Sequence, residues 1–194
     1  MKNDLRYDQW LASLMRMDDT VWDRHANGWS VWTRFFSLPL MLAAIWSHVW
    51  IGGLGAMALV ALVAFATWIN PRLFPAPKTT DTWHAKATFG ERVWLNRGRV
   101  PIPRHHAVMA HILAFGGAIG AVIALWSAFT TALWPMIFGA TVVIFSKLWF
   151  LDRMVWLYED MKTRDPVYRS WTRTAVNDNG AESRAKIRPV RLHK

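Results

Sequence analysis

Two long apolar blocks constrain this chain more than any other feature. Residues 35–69 contain no Asp, Glu, Lys or Arg and a single His, and the 45 residues 107–151 contain one His and one Lys. Stretches of this length with so little charge fit a bilayer, whose hydrocarbon core takes about 20 residues of helix. Backbone polar groups in such a core must be satisfied internally, which leaves helices as the spanning elements here. The first block is too long for one ordinary span of about 20 residues, so it reads as a helical hairpin with arms of about 16 to 18 residues. The reversal falls at Trp50-Ile-Gly-Gly-Leu-Gly55, where Gly52, Gly53 and Gly55 admit the conformations of a tight turn. The alternative for this block is one tilted helix plus a re-entrant or interfacial piece. The second block splits at Ser127-Ala-Phe-Thr-Thr131, ahead of Trp134-Pro135, into arms of about 20 residues. Gly116 with Gly120, and Gly52 with Ala56, form small-xxx-small pairs that allow close helix approach.

The polar segments complete the map. Leu5, Leu11, Leu14 and Met15 lie near one helical face, and Asp18, Asp19 and Thr20 can cap a second short helix through Val21 and Trp22 that Gly28 breaks. Trp29-Ser-Val-Trp32-Thr-Arg-Phe35 has the composition of a membrane-surface anchor. In the bridge between the blocks, Pro71, Pro75 and Pro77 end the helix that precedes them. Thr80 or Asp81 then caps a short helix to about Arg97, whose Trp83, Ala87 and Trp94, with Phe89 and Val93, are expected to face the membrane surface. Asp152 to Asp160 reads as an amphipathic exit helix, and the tail from about Thr174 is too polar to order itself. The expected architecture is all-α: a polytopic membrane protein with four transmembrane helices, arranged as two hairpins joined by a cytoplasmic amphipathic segment. Its parts are a cytoplasmic N-segment (1–34), a first transmembrane hairpin (35–69), a bridge with a short interfacial helix (70–106), a second hairpin (107–151), and an exit helix with a mobile basic tail (152–194).

Composition sharpens this picture and excludes several chemistries. Charged residues make up 19% of the chain, below the roughly 25% of soluble domains, and hydrophobic ones 53%. With no cysteine, thiol catalysis, disulfides, iron–sulfur clusters and Cys-ligated zinc are ruled out by inventory. The net charge of +10 points to anionic headgroups and membrane orientation rather than nucleic acid, because the basic residues flank the apolar blocks. Lys2, Asp4, Arg6 and Asp8 argue against a cleavable leader.

Lys and Arg number five in residues 1–34, seven in 70–106 and ten in 152–194, and both proposed turns have none. By the positive-inside rule all three charged segments, with both termini, belong in the cytoplasm. The tryptophans fit: Trp46, Trp50, Trp126 and Trp134 gather at the outer turns, and Trp29, Trp32, Trp68 and Trp149 at the inner ends.

The polar candidates are His25, His84, Glu91, Arg92, His105, His106, Lys147, Asp152 and Arg153. Membrane hydroxylases and desaturases bind metal through repeated His pairs at helical spacing, which this chain lacks; an iron or zinc site on His25, His105 and His106 is therefore the alternative to wet interfacial histidines. His48 and His111 fall at opposite ends of the spans, against a bis-His haem. Lys147 lies about 6 Å below the end of its block at 1.5 Å per residue, so it either snorkels or pairs with Glu91 or Asp152. Glu91-Arg92 and Asp152-Arg153 read as an ion-pair lattice between bridge and exit helix. No nucleophile or phosphate loop accompanies them, and no catalytic residue is assigned.

The segments Trp22-Asp-Arg-His-Ala-Asn27, Trp29-Ser-Val-Trp-Thr-Arg34, Asn70-Pro-Arg-Leu-Phe-Pro75, Glu91-Arg-Val-Trp-Leu-Asn-Arg97, Pro103-Arg-His-His106 and Lys147-Leu-Trp-Phe-Leu-Asp-Arg-Met-Val-Trp156 together carry a resemblance. The chain resembles, over about residues 20 to 161, a family of small prokaryotic integral membrane proteins known only as a domain of unknown function. The resemblance implies a prokaryotic inner membrane and brings no activity or site.

The expectation is thus a non-enzymatic integral membrane protein without a cofactor. Its partners are the bilayer, anionic headgroups, and another membrane protein or a second copy of itself. The competing expectation is a metal-dependent membrane-embedded enzyme acting on a lipid-like substrate with His25, His105 and His106.

Overall fold

The computed structural model describes residues 19–174, which form eight helices and no strand. The N-terminal helix read around Leu5 to Met15 and the tail beyond Thr174 lie outside the described residues. Helix α1 (Asp19–His25) ends two residues before α2 (Gly28–Phe35), which is capped by Asn27, whose side chain accepts from the Trp29 amide. Helix α2 is amphipathic: Ser30 and Val31 are buried while Trp29 is exposed.

Three helices are long and apolar enough to cross a membrane: α4 (His48–Leu73), α6 (Arg104–Phe129) and α7 (Leu133–Lys162). This corrects the four-span reading. The first arm of the 35–69 block is α3 (Ser37–Trp46), 10 residues and so about 15 Å, half of the ~30 Å hydrocarbon core. The physical reason lies at Gly52, which adopts φ 72°, ψ 171° and kinks the helix. That left-handed conformation is one glycine takes without strain, and it falls inside the segment expected to turn. Ser47, five residues earlier, keeps helical φ −60°, ψ −12°, its amide donating to the Ala43 carbonyl and its hydroxyl to the Ala44 carbonyl at 2.7 Å. In helix lengths the block matches one long helix plus a shorter piece.

Helices α6 and α7 pack antiparallel on small residues. A Cβ built on Gly120 would lie 2.9 Å from the Gly139 carbonyl oxygen, and one on Gly139 would lie 2.6 Å from the Ala124 nitrogen. Gly116, the other half of the expected pair, is looser, with Ser146 Oγ 3.5 Å away. The turn between them has Thr131 at φ 56° and is closed by the Ala132 amide donating to the Ser127 carbonyl. His48 stacks on Phe129 at 5.5 Å, bringing the reversal of the first block to the same end as this turn.

The packed core lies at the other end. Helix α7 runs unbroken to Lys162, so the segment 152–160 is its continuation rather than a separate exit helix. On that extension packs α5 (Trp83–Leu95), which crosses α7 so closely that a Cβ on Gly90 would fall 1.9 Å from the Met154 carbonyl oxygen. Ala85, Phe89, Val93, Ala110, Met154, Leu157, Tyr158 and Met161 are buried together there. This corrects the expected orientation of α5: Ala87, Phe89 and Val93 are fully buried rather than facing a membrane surface. The reason is that α7 carries its own apolar stripe beyond the bilayer-like stretch, and burying two stripes against each other removes more apolar area from water than laying one on headgroups. The chain then passes through α8 (Pro166–Ser170) and returns to the bridge, where Thr80 and Arg173 exchange backbone hydrogen bonds and Thr80 Oγ1 donates to the Trp171 carbonyl at 2.9 Å.

Candidate functional site

The close approach at Gly90 sets its neighbour Glu91 beneath the α5–α7 crossing, where it gathers a cluster of charged and titratable side chains. Lys147 Nζ donates to Glu91 Oε1 at 2.5 Å. Its side chain remains 47% exposed, whereas that of Glu91 is 16% exposed. Of the two readings of Lys147, the structure has the pairing with Glu91. His25 Nε2 lies 3.9 Å from Glu91 Oε2, brought in by the last turn of α1. Arg34, from α2, donates from Nη1 to His25 Nε2 at 2.7 Å and from Nε to the Ser30 carbonyl at 3.0 Å.

Arginine can only donate, so His25 Nε2 must be the acceptor and its proton sits on Nδ1. That Nδ1 is buried and has no hydrogen-bond partner. Burial first, and then the Arg34 charge, push the His25 imidazole down from 6.5 to about 3, so it is neutral at pH 7. Burial works to raise the Glu91 carboxyl, but the charges of Lys147 and Arg34, with the hydrogen bond from Lys147, outweigh it and hold the group below its ordinary value. With His25 neutral, the cluster has two cations against one carboxylate. A cavity of about 80 Å³ opens among Arg34, Glu91, Lys147 and Thr88, walled by Val31, Phe35 and Leu151. Four of its seven lining residues are therefore ionic or polar and three apolar.

The other candidates are placed elsewhere. Arg92 pairs with Asp19 and lies over the Trp171 ring at 4.4 Å. Asp152 accepts from Trp83 Nε1 at 3.4 Å and lies 3.8 Å from Arg153, its own neighbour. The expected lattice of Glu91-Arg92 with Asp152-Arg153 is thus not formed. Ion pairs linking α5 to α7 run instead through Glu91–Lys147 and Lys86–Glu159, the latter at 3.0 Å. His84 packs its ring against Gly28, where a Cβ would stand 3.0 Å away, and shares a hydrogen bond with Thr82.

His105 and His106 open α6, with ring centroids 4.1 Å apart, and His106 Nε2 lies 2.8 Å from Asp160 Oδ2. His25 does not join them. It contacts the Lys147 cluster, and Asp160 is thirteen residues farther along α7, about 20 Å at 1.5 Å per residue. The metal trio of His25, His105 and His106 is therefore corrected. His105 and His106 meet Asp160, because two segments remote in sequence converge only through α7. His48 and His111 sit against Phe129 and Trp94 respectively, near opposite ends of α6.

Reading the sequence missed Arg34, Asp160 and Gly90. Arg34 stood in view as an anchor residue, and its i, i+4 step from the buried Ser30 was the available signal. For Gly90, the run Ala85, Ala87, Thr88 and Gly90 of small residues on a short helix marked a close crossing, and all four are buried.

A family model described as a family of unknown function (DUF6653) matches residues 7–177. Neither the curated proteins nor the solved structures contain a match.

Proposed function

The chain belongs to this family of unknown function, and on that footing we propose that it is a multi-pass membrane protein that holds the anionic headgroup of a lipid in the Arg34–Glu91–Lys147 cavity. The observation that carries the proposal is the excess of one positive charge in a half-buried cavity at the edge of the apolar helices. An unneutralised charge in such a place is costly, and a monoanionic phosphodiester offsets it. Arg34 supplies a planar fork for phosphate oxygens and Lys147 a mobile point charge. Val31, Phe35 and Leu151 offer the glycerol and first methylenes an apolar wall. Glu91 keeps the two cations apart and prevents the site from holding a second anion. The role in this reading is binding: the Thr88 hydroxyl in the lining donates to the His84 carbonyl.

In this reading the charged end, with α1, α2, α5 and the extension of α7, faces the cytoplasm of a prokaryotic cell, and α3 enters the membrane layer without crossing it as a regular helix. The Lys and Arg distribution supports that orientation. So do the exposed Trp50, Trp126 and Trp134 at the uncharged end.

Native mass spectrometry of the detergent-purified chain, offered phosphatidylglycerol and phosphatidylcholine in equal amount, tests the assignment. One phosphatidylglycerol per chain is expected, and its preference over phosphatidylcholine should drop about tenfold in Arg34→Gln and in Lys147→Gln, as loss of one charge-assisted contact implies. An unchanged preference in both variants would refute it. Labelling of single cysteines introduced at the exposed Thr130 and at Thr82 of the cysteine-free chain tests the orientation, with only position 130 expected to react from outside.

A further inference from the structure

A second cluster lies at the opposite edge of the core, where the first turn of α6 meets the last turns of α7. His105, His106 and Asp160 each present one ligand atom there, and the three atoms lie within 4.8 Å of one another. We propose that these residues form a binding site for a zinc-class divalent transition metal.

The donor set decides the class of metal. Two imidazoles and a carboxylate suit zinc and its neighbours, whereas magnesium and calcium take oxygen donors. With metal–nitrogen and metal–oxygen bonds of about 2.0–2.2 Å, ligand atoms around a tetrahedral ion stand about 3.3 Å apart. The His106–Asp160 separation of 2.8 Å is shorter than that and no separation in the group exceeds 4.8 Å, so side-chain rotation, chiefly of the exposed His105, closes the site. His106 is held for the purpose, 3% exposed on the buried face of α6 beside Ala110. His105 is exposed and free to swing.

A plain His–Asp pair tying α6 to α7 would need only one imidazole. The second, exposed and with its ring centroid 4.1 Å from the first, is what a structural pair leaves unexplained. On binding, the ion takes the place of the proton shared between His106 Nε2 and Asp160 Oδ2. That proton leaves to solvent, so uptake is coupled to proton release. Three protein ligands leave a fourth position open to water. The ion would staple the start of α6 to the extension of α7 on which α5 packs.

The test uses the untagged full chain in detergent, stripped with a chelator and then dialysed against Zn²⁺ alone, with bound metal counted by atomic spectrometry. One Zn²⁺ per chain at micromolar free metal is expected, and Co²⁺ in its place should give the absorption of a four-coordinate site. His105→Ala and Asp160→Asn should each weaken binding by about tenfold or more, while His111→Ala should not. His105 is exposed and Asn keeps the shape of Asp, so both variants are expected to fold; their α-helical circular dichroism checks this. Absence of stoichiometric Zn²⁺ in the wild type would overturn the site, as would undiminished affinity in the two folded variants.

Discussion

Replacing Lys147 by Leu isolates what the Glu91–Lys147 pair does for the protein. Leu suits an apolar helix, so a lysine that merely snorkels should be replaced at little cost or with a gain. The structure gives the lysine a partner: Nζ is 2.5 Å from a carboxylate whose side chain is only 16% exposed. Removing one member of a fully buried pair costs about 3–5 kcal/mol, chiefly through the stranded charge. An exposed pair is worth about 0.2–1 kcal/mol. Here the lysine is 47% exposed and Arg34 remains near the carboxylate, so the expected loss lies between these limits, about 1–3 kcal/mol. For a chain of this size that is a drop of several degrees in unfolding temperature, at roughly 2–4 °C per kcal/mol. Thermal unfolding in detergent, followed by tryptophan fluorescence, measures it. The decisive comparison is the double variant Glu91→Gln/Lys147→Leu. With the stranded carboxylate removed it should recover about 1 kcal/mol or more relative to Lys147→Leu, a coupling of the size expected for contacting residues. A single variant as stable as the wild type, or a double variant no better than the sum of its singles, would refute the pairing.

Two further outcomes follow from the same region. Below pH 6.5 an unfolded His25 binds a proton that the folded protein refuses until about pH 3, so stability should fall with pH across that window, by up to about 1.4 kcal/mol per unit. Glu91, whose folded carboxyl is held below its ordinary 4.5, adds its loss only at lower pH. His25→Gln should therefore flatten the unfolding temperature between about pH 6.5 and 5, and an unchanged slope would count against a neutral buried His25. Gly90→Ala should destabilise by about 1–3 kcal/mol or more, since its methyl would collide with the Met154 carbonyl at 1.9 Å. Gly116→Ala meets only Ser146 at 3.5 Å and should be neutral or gain up to about 1 kcal/mol from helix propensity. Equal effects of the two in the same unfolding assay would contradict the crossing geometry.

The parts of the fold legible in advance are those set by short-range pattern. The turns at Gly52 and Thr131 and the short helix α5 were all read from local composition. What local pattern could not show was where helix ends fall inside a uniformly apolar stretch. Of the three glycines in the expected turn, only Gly52 leaves helical φ/ψ, and nothing in the local sequence distinguishes it from Gly53 or Gly55. The site was legible only in part: Lys147 was read as either snorkelling or pairing with Glu91 or Asp152, and nothing in the sequence brought His25 or Arg34 to them.

By itself, then, the sequence determined which stretches are apolar enough for hydrocarbon. Charge density and apolar run length are properties of single stretches, and the free energy of placing a stretch in water or hydrocarbon is nearly additive along it. Only the tertiary structure decided which charges meet. Glu91 reaches Lys147, His25 and Arg34 because α5 crosses α7 at Gly90, and His106 reaches Asp160 because α7 runs on past the apolar stretch. A contact between residues fifty positions apart depends on crossing angle and axial register, and these are set by the packing of every side chain at the crossing rather than by the two residues that touch.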